Sequence, residues 1–127
     1  MSLFENLENV PDAVIVDDGV YEVRAEKAEL KVSAKNVKYV NIMFVLTEEE
    51  MAEPVYYSLF LPGTDADERQ NLRRLRDAKH FADCFGLSHD FELQDIMGVT
   101  GHVNITSEDY NGQKQNKIKS LVGGVNE

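Results

Sequence analysis

Residues 20–32 read VYEVRAEKAELKV, and their apolar and charged side chains alternate as they do in a strand with one buried face. The apolar positions are odd-numbered up to Ala25 and even-numbered from Ala28 onwards. Because successive side chains of a strand point to opposite faces, such a change of parity needs one extra residue, which is a β-bulge. The sequence therefore predicts a long first strand that bends near its middle.

Two further strands are predicted before a helix, and two after it. The even positions of segment 37–47 are apolar from 40 to 46, and Asn111-Gly112 is typical of the type I′ turn that joins two hairpin strands. Gly86 stands where a helix commonly ends with a left-handed residue. The predicted strands after the first are 37–47, 55–61, 99–106 and 113–122, and the predicted helix is about 66–85.

This order of elements, β-β-β-α-β-β with a bent first strand, predicts a mainly β fold. It is that of a five-stranded OB-fold-like Greek-key barrel with one helix between strands three and four. Another small α+β domain or an open sheet is the alternative that the pattern leaves. The length of 127 residues is that of one domain. The expected division is a loosely structured acidic N-terminal segment at 1–18, the barrel domain at 19–122 and a short C-terminal tail at 123–127.

The net charge of −10 argues against a protein that coats nucleic acid through its overall charge. The charges are segregated along the chain, however. Segments 31–47 and 114–126 each contain three lysines and no acid, whereas 48–53 contains four glutamates. Where the basic segments meet in space therefore matters more than the total charge.

Cysteine usage and apolar runs predict a cytoplasmic protein that does not enter a membrane. Cys84 is the only cysteine, so no intrachain disulfide is expected, and a single thiol fits a reducing compartment. The longest apolar runs are far shorter than the roughly 20 residues of a membrane helix. The acidic N-terminus, MSLFENLENV, has no basic region followed by an apolar stretch, so no signal peptide is expected.

Nothing in the sequence predicts an enzyme. His80, His89 and His102 are the only histidines, and no two of them have the spacing of metal ligands on one helix. Cys84 lies beside phenylalanines at the end of the predicted helix, where a small buried thiol is expected rather than a nucleophile. No glycine-rich phosphate loop is present. We therefore expect no catalytic site, no metal and no cofactor.

Aromatic residues on the outer faces of strands two and three favour nucleic-acid binding. Tyr39, Tyr56 and Phe60 alternate with core positions, and bases stack on exposed aromatic rings while lysines contact phosphates. The alternative is that Tyr56 and Phe60 pack under the N-terminal segment and that the lysines are ordinary surface charges. The predicted binding residues are Tyr39, Asn41, Tyr56, Phe60, Lys31, Lys35, Lys38, Tyr110, Lys114, Lys117 and Lys119.

A stripe of arginines lies on the predicted helix opposite its leucines. Arg69, Arg73 and Arg76 are spaced i, i+4 and i+7, with carboxylates near enough in sequence to pair with them. A solvated face with helical ion pairs is the favoured interpretation. A second contact with nucleic acid or with a protein is the alternative.

Three segments carry a resemblance to a known family. They are GVYEVRAEKAELKVSAKNVKYVNIMFVL at 19–46, FADCFGL at 81–87 and GVTGHVNITSEDYNGQKQNKIKSLV at 98–122. In this order they resemble small bacteriophage single-stranded DNA-binding proteins of OB-fold type, and related small phage proteins encoded among replication and recombination genes. The resemblance covers 19–122 and implies that residues 39, 41, 56 and 60, with the lysines at 31, 35, 38, 114 and 117, bind the strand. Many such phage proteins end in an acidic tail, whereas GGVNE carries one acid here, so the acidic N-terminal third is the expected partner surface.

The expected function is binding of single-stranded DNA with little sequence preference during phage DNA replication or recombination. The expected setting is the host cytoplasm, with phage or host replication and recombination proteins as further partners. An acidic interaction module, or DNA mimic, that occupies a basic nucleic-acid-binding surface is the alternative, because 1–30 and 48–53 are rich in acid. An enzyme acting on nucleic acid would need a carboxylate cluster that binds a divalent metal. Exposed edge strands make a homodimer a further expectation.

Overall fold

A computed structural model describes residues 3–4 and 14–123, except for the side chain of Tyr110. Five strands and a long helix follow one another in the predicted order, with one additional short helix. The elements are β1 Gly19–Val32, β2 Lys38–Leu46, β3 Val55–Phe60, α1 Glu68–Phe85, α2 Leu93–Ile96, β4 Thr100–Tyr110 and β5 Gln113–Leu121.

The five strands form one antiparallel sheet in the order β3-β2-β1-β4-β5. Its two edge strands, β3 and β5, contact each other, so the sheet curls into a nearly closed barrel. Helix α1 connects β3 to β4 and packs on both, and α2 contacts β1. The predicted mainly β, OB-like barrel with a helix between strands three and four is confirmed.

The predicted bulge is present in β1. Its register with β2 shifts between Ala25 and Lys27, and at this point the Ala25 N–H donates to the carbonyl of Val99 at 2.9 Å. Before the bulge β1 pairs with both β2 and β4, and after it β1 pairs with β2 alone. From residue 27 onwards β1 is therefore an edge strand next to β2, whose other side pairs with β3; we call segments 27–32 of β1 and 38–43 of β2 the β1–β2 arm.

Aromatic rings fill the space between the barrel and α1. Phe44 of β2 stacks on Phe85 with ring centroids 5.2 Å apart, and Phe81 lies 4.7 Å from Phe85. The ring of Tyr57 stacks on Phe81 at 6.1 Å, and its burial raises the pKa of the Tyr57 hydroxyl. The helix ends at Gly86 with a φ of 70°, the left-handed conformation that the sequence predicts there.

The first half of α1 is oriented differently from what its leucine spacing suggests. Leu72 and Leu75 are 46% and 52% exposed. The less exposed side chains are polar: Asn71 Nδ2 donates to the backbone of the β3–α1 connection at 3.0 Å, and Arg74 pairs with Asp65 at 2.7 Å. Because these polar groups hold the connection, the two leucines remain on the surface.

Residues 14–18 are attached to the barrel by hydrogen bonds. The amide of Asn116 on β5 accepts from the Val16 N–H at 2.9 Å and donates to the Val16 carbonyl at 3.0 Å. The carboxylate of Asp18 accepts from the Ser107 N–H at 2.9 Å. This end of the acidic N-terminal segment is therefore held against β4 and β5. Most of the remainder of the two predicted terminal segments lies outside the described residues.

Gly101 on β4 lies against a buried aromatic ring, which makes this position sensitive to any side chain. An added Cβ would lie 2.6 Å from Cδ1 and Cε1 of Phe85. We expect Gly101→Ala to lower the free energy of unfolding by about 1–3 kcal/mol, as overpacking of a core does. Urea denaturation followed by circular dichroism measures the loss. Gly19→Ala is the matched control, since its added atom meets only an ordinary contact at 3.7 Å. Equal losses in the two variants would contradict the prediction.

The Asp18 carboxylate makes stability depend on pH. Its pKa is lowered, chiefly because the Ser107 N–H donates a hydrogen bond to the ionised form. A pKa lowered in the folded state stabilises the fold above the unfolded pKa, and this contribution is lost as the pH falls below about 4. Asp18→Asn should therefore lower the thermal midpoint near neutral pH, and its difference from the wild type should narrow in acid.

Thermal unfolding across the acid range measures the effect of Asp18→Asn. Asp17→Asn is the control, because Tyr21 bonds the backbone carbonyl of Asp17 and not its carboxylate. A deficit in Asp18→Asn that does not change with pH would argue against the link.

Candidate nucleic-acid interface

The register of β1, β2 and β3 aligns their outward-facing residues in three rows. Tyr39 of β2 lies opposite Phe60 of β3, and Met43 lies opposite Tyr56. β1 completes the rows after its bulge, because its odd-numbered residues then face the odd-numbered residues of β2. These nine residues, the outer face, are Lys31-Tyr39-Phe60, Glu29-Asn41-Ser58 and Lys27-Met43-Tyr56.

Aromatic side chains are accessible at both ends of the outer face. Tyr56 is 55% exposed and Phe60 is 45% exposed, so residues 14–18 do not cover them. The rings of Tyr39 and Phe60 pack with centroids 5.6 Å apart, which restricts both. The structure thus brings the predicted residues Tyr39, Asn41, Tyr56 and Phe60 together on one face.

Two depressions meet at Tyr56. The first has a volume of about 180 Å³, and Lys27 and Lys31 of the arm are among its walls. The second, of about 510 Å³, lies between the start of β3 and the start of β5, with Pro54 and Lys114 on opposite sides. Tyr56 lines both depressions, which together extend from the arm to the start of β5. We call the two together the outer groove.

Two predicted lysines line the outer groove, one on each side of Tyr56. Lys31 belongs to the first depression and Lys114 to the second. Neither has a carboxylate within 4.0 Å among the described residues. Glu29 also lines the first depression and Glu53 the second, so each lysine shares its depression with a carboxylate but forms no ion pair with it.

Lys35 stands in the tight turn at the tip of the arm. The hydroxyl of Ser33 accepts from the Lys35 N–H at 3.3 Å and from the Val37 N–H at 3.2 Å. Asn36 has a left-handed φ of 65°, which asparagine tolerates better than most residues. The turn thus holds Lys35 beyond the end of the row that contains Lys31.

The structure does not bring the remaining predicted residues into the outer groove. Lys38 alternates with Tyr39 on β2 and so lies on the opposite face of the arm. Lys117 pairs with a glutamate of β4 at 2.9 Å, and Lys119 falls where the β4–β5 register shifts. Neither lines the groove. The side chain of Tyr110 lies outside the described part of the chain.

Several groove residues were not among the predicted binding residues. Lys27 and Met43 line the first depression, and Gln113 and Gln115 line the second. The alternation after the bulge already places Lys27 on the outside, so this residue could have been found from the sequence. The glutamines reach Tyr56 only because the sheet closes, which no local pattern shows. Lys27 lies 3.9 Å from Glu29, but both are exposed, so this ion pair stabilises little.

Histidine, cysteine and acidic side chains also lie outside the outer groove. Among the described residues, no group of three or more His, Cys, Asp or Glu could hold a metal ion. The His89 ring lies 2.7 Å from Asp83 on the surface, and this hydrogen bond is the main cause of the lowered pKa of Asp83. Cys84 is buried, as predicted, with its sulfur 3.6 Å from Nε2 of His80. Within the same described ranges, no helix has both the length and the apolar character needed to cross a membrane.

No protein-family model matches the chain, and a search of curated proteins finds no significant match. Function is therefore inferred from the geometry and charge of the outer groove.

Proposed function

We propose that the protein binds single-stranded DNA along the outer groove, with little sequence preference, during phage DNA replication or recombination in the host cytoplasm. The position of Tyr56 is the observation that carries this proposal. Tyr56 is exposed and lines both depressions, and each depression contains a lysine with no carboxylate within 4.0 Å in the described part of the chain. Bases stack on the ring, and phosphates pair with Lys31 and Lys114. The motif resemblance to phage single-stranded DNA-binding proteins supports the biological setting.

Stacking accounts for the weak sequence preference. Every base has an aromatic face, so an exposed ring stabilises any base by about 1–3 kcal/mol. Between the aromatic rows lie Asn41 and Ser58, which are polar and only half-buried. Half-buried groups can still bond water when a base fails to match, so they discriminate less than buried donors and acceptors do.

The local charge explains how an acidic protein can bind a polyanion. The net charge is −10, but segment 31–47, which spans the tip of the arm and β2, contains no acid. At physiological salt, charges farther than about 8 Å away are largely screened. Binding through a few lysines then weakens as salt rises, and each phosphate contact contributes about 0.7 to the slope of log affinity against log salt.

Fluorescence anisotropy of a labelled oligo-dT, compared with a duplex of the same length, tests the proposal. We expect saturable binding to the single strand, weaker binding to the duplex and lower affinity at higher salt. Tyrosine emission followed in parallel reports stacking, because the chain contains no tryptophan. No binding to the single strand at low salt would refute the proposal.

Tyr56→Ala should weaken oligo-dT binding by about 1–3 kcal/mol, or roughly 5- to 150-fold, because it removes the ring that both depressions share. Tyr56→Phe keeps the ring and should bind nearly as well as the wild type. The side chain is exposed, so both variants should fold, which circular dichroism verifies. Wild-type affinity in Tyr56→Ala would exclude a stacking role.

Lys31→Ala and Lys114→Ala should each lower the affinity and reduce the magnitude of the salt slope by about 0.7. Titrations at several salt concentrations measure both quantities. Lys79→Ala is the matched control, since Lys79 is an exposed lysine of α1 that lines neither depression. An equal effect of the control would mean that the lysines act only through the net charge.

A second candidate function follows from the exposed glutamates between β2 and β3. Glu48, Glu49 and Glu50 are exposed and form no ion pair among the described residues. An acidic interaction module that occupies a basic nucleic-acid-binding surface would present such side chains. Retention of a basic partner that DNA displaces, with no binding of oligo-dT by the protein itself, would favour this function.

A further inference from the structure

Three arginines on α1 form a basic stripe. Arg69, Arg73 and Arg76 are exposed, and none has a carboxylate within 4.0 Å among the described residues. Arg74 is paired instead, with Asp65 at 2.7 Å. The helical ion pairs that the sequence favours therefore do not form along the stripe, and its charge can meet a partner.

Exposed leucines lie beside the basic stripe. Leu72 is three residues after Arg69 and four before Arg76, so it is their neighbour on the helix surface and does not lie opposite the stripe, where the sequence analysis predicted it. Leu75 lines an apolar groove of about 300 Å³ whose other walls come from α2, β3 and the β1–β2 arm. Leu72 and Leu75 are 46% and 52% exposed. We call the basic stripe, these two leucines and the apolar groove the helix face.

The composition of the helix face favours a protein partner over nucleic acid. Phosphates would pair with the arginines but leave the leucines and the apolar groove in water. A segment that carries both carboxylates and an apolar side chain covers both parts of the surface. Apolar patches rimmed by charge are typical of protein interaction sites.

The connection between β2 and β3 of this chain has the matching composition. The glutamates at 48–50 are exposed and without ion pairs in the described ranges, and Met51 beside them is 70% exposed. The Ala52 N–H donates to the Glu49 carbonyl at 3.0 Å, and Ala52 also bridges the N-terminal segment. Residues 48–51, the acidic loop, thus present carboxylates around one unbranched apolar side chain on a fixed turn.

We propose that the acidic loop of one copy docks on the helix face of a second copy, with its glutamates on the basic stripe and Met51 on the exposed leucines. The acidic loop comes just before β3 and α1 comes soon after it, so the two surfaces lie at opposite ends of a six-residue strand, roughly 20 Å apart. Each copy therefore offers one donor surface and one receiving surface. Such a contact is heterologous, so it forms closed rings or open head-to-tail chains.

The strength of this contact depends on the salt concentration. Each copy carries a net charge of −10, so copies repel each other at low salt, where the screening length is about 30 Å. At physiological salt the screening length is about 8 Å, which removes most of the repulsion and keeps the close ion pairs. At 1 M salt, with a length of about 3 Å, the pairs weaken as well. Self-association should therefore peak near physiological salt.

Sedimentation velocity at physiological salt, without DNA, tests the contact. The average mass of the wild type should rise with concentration. The variants R69E/R73E/R76E and E48K/E49K/E50K each reverse one surface and leave the other native, so each should be monomeric alone. Their equimolar mixture should associate again, because the native loop of the first pairs with the native helix face of the second, and the reversed loop of the second can pair with the reversed stripe of the first.

Further variants separate this contact from a general effect of charge. Combining all six reversals restores complementarity and should restore growth with concentration. Leu72→Ser should weaken self-association about tenfold by removing buried apolar area. Val20→Ser is the matched control: Val20 is 57% exposed, lies outside both surfaces and should leave self-association unchanged.

Two outcomes would overturn the proposed contact. One is a wild type that stays monomeric at every concentration and salt. The other is a mixture of the two charge-reversed variants that does not associate although circular dichroism shows both to be folded. Because no DNA is present, either outcome leaves strand binding to be decided by the anisotropy experiment alone.

Discussion

The bulge between Ala25 and Lys27 of β1 sets the arrangement of both candidate surfaces. At the bulge the backbone N–H of Ala25 bonds Val99, and beyond it β1 has only β2 as a neighbour. The arm that results has two usable faces. Lys31 lies beside Tyr39 on the outer face. Leu30 lies opposite Val40 on the other face of the arm and lines the apolar groove. Without the shift in phase the charged and apolar side chains of the arm would exchange faces.

Local patterns were sufficient to predict the elements wherever one physical requirement dominates. A parity change in a strand requires a bulge, and Asn111 and Gly112 adopt the positive φ values of 52° and 81° that their turn needs. The orientation of the first half of α1 was not predicted, because helical spacing identifies an apolar stripe but not which residues cover it. Polar side chains such as Asn71 secure the preceding connection, so Leu72 stays exposed.

Some features of the candidate site follow from local sequence patterns, and others depend on contacts between distant parts of the chain. Alternation along β2 and β3 predicted the aromatic face. It also implied that Lys38 lies on the face of β2 that carries the core side chains. The approach of Lys114 to Tyr56 depends on closure between β3 and β5, which are not paired in a ladder and leave no local signal. The partner of Lys117 is a residue of the neighbouring strand, so its pairing depends on a register that is shifted by a bulge.

Phe60 contacts both surfaces. Its ring packs on Tyr39 in the outer face, and Phe60 is also among the residues that line the apolar groove beside α1. If a molecule bound on one surface shifts Phe60 and so changes the affinity of the other surface, that coupling is equal in both directions. Phe60 is therefore the residue through which the two proposed activities would be coupled. Binding of a strand on the outer face and growth of the protein assembly would then depend on each other.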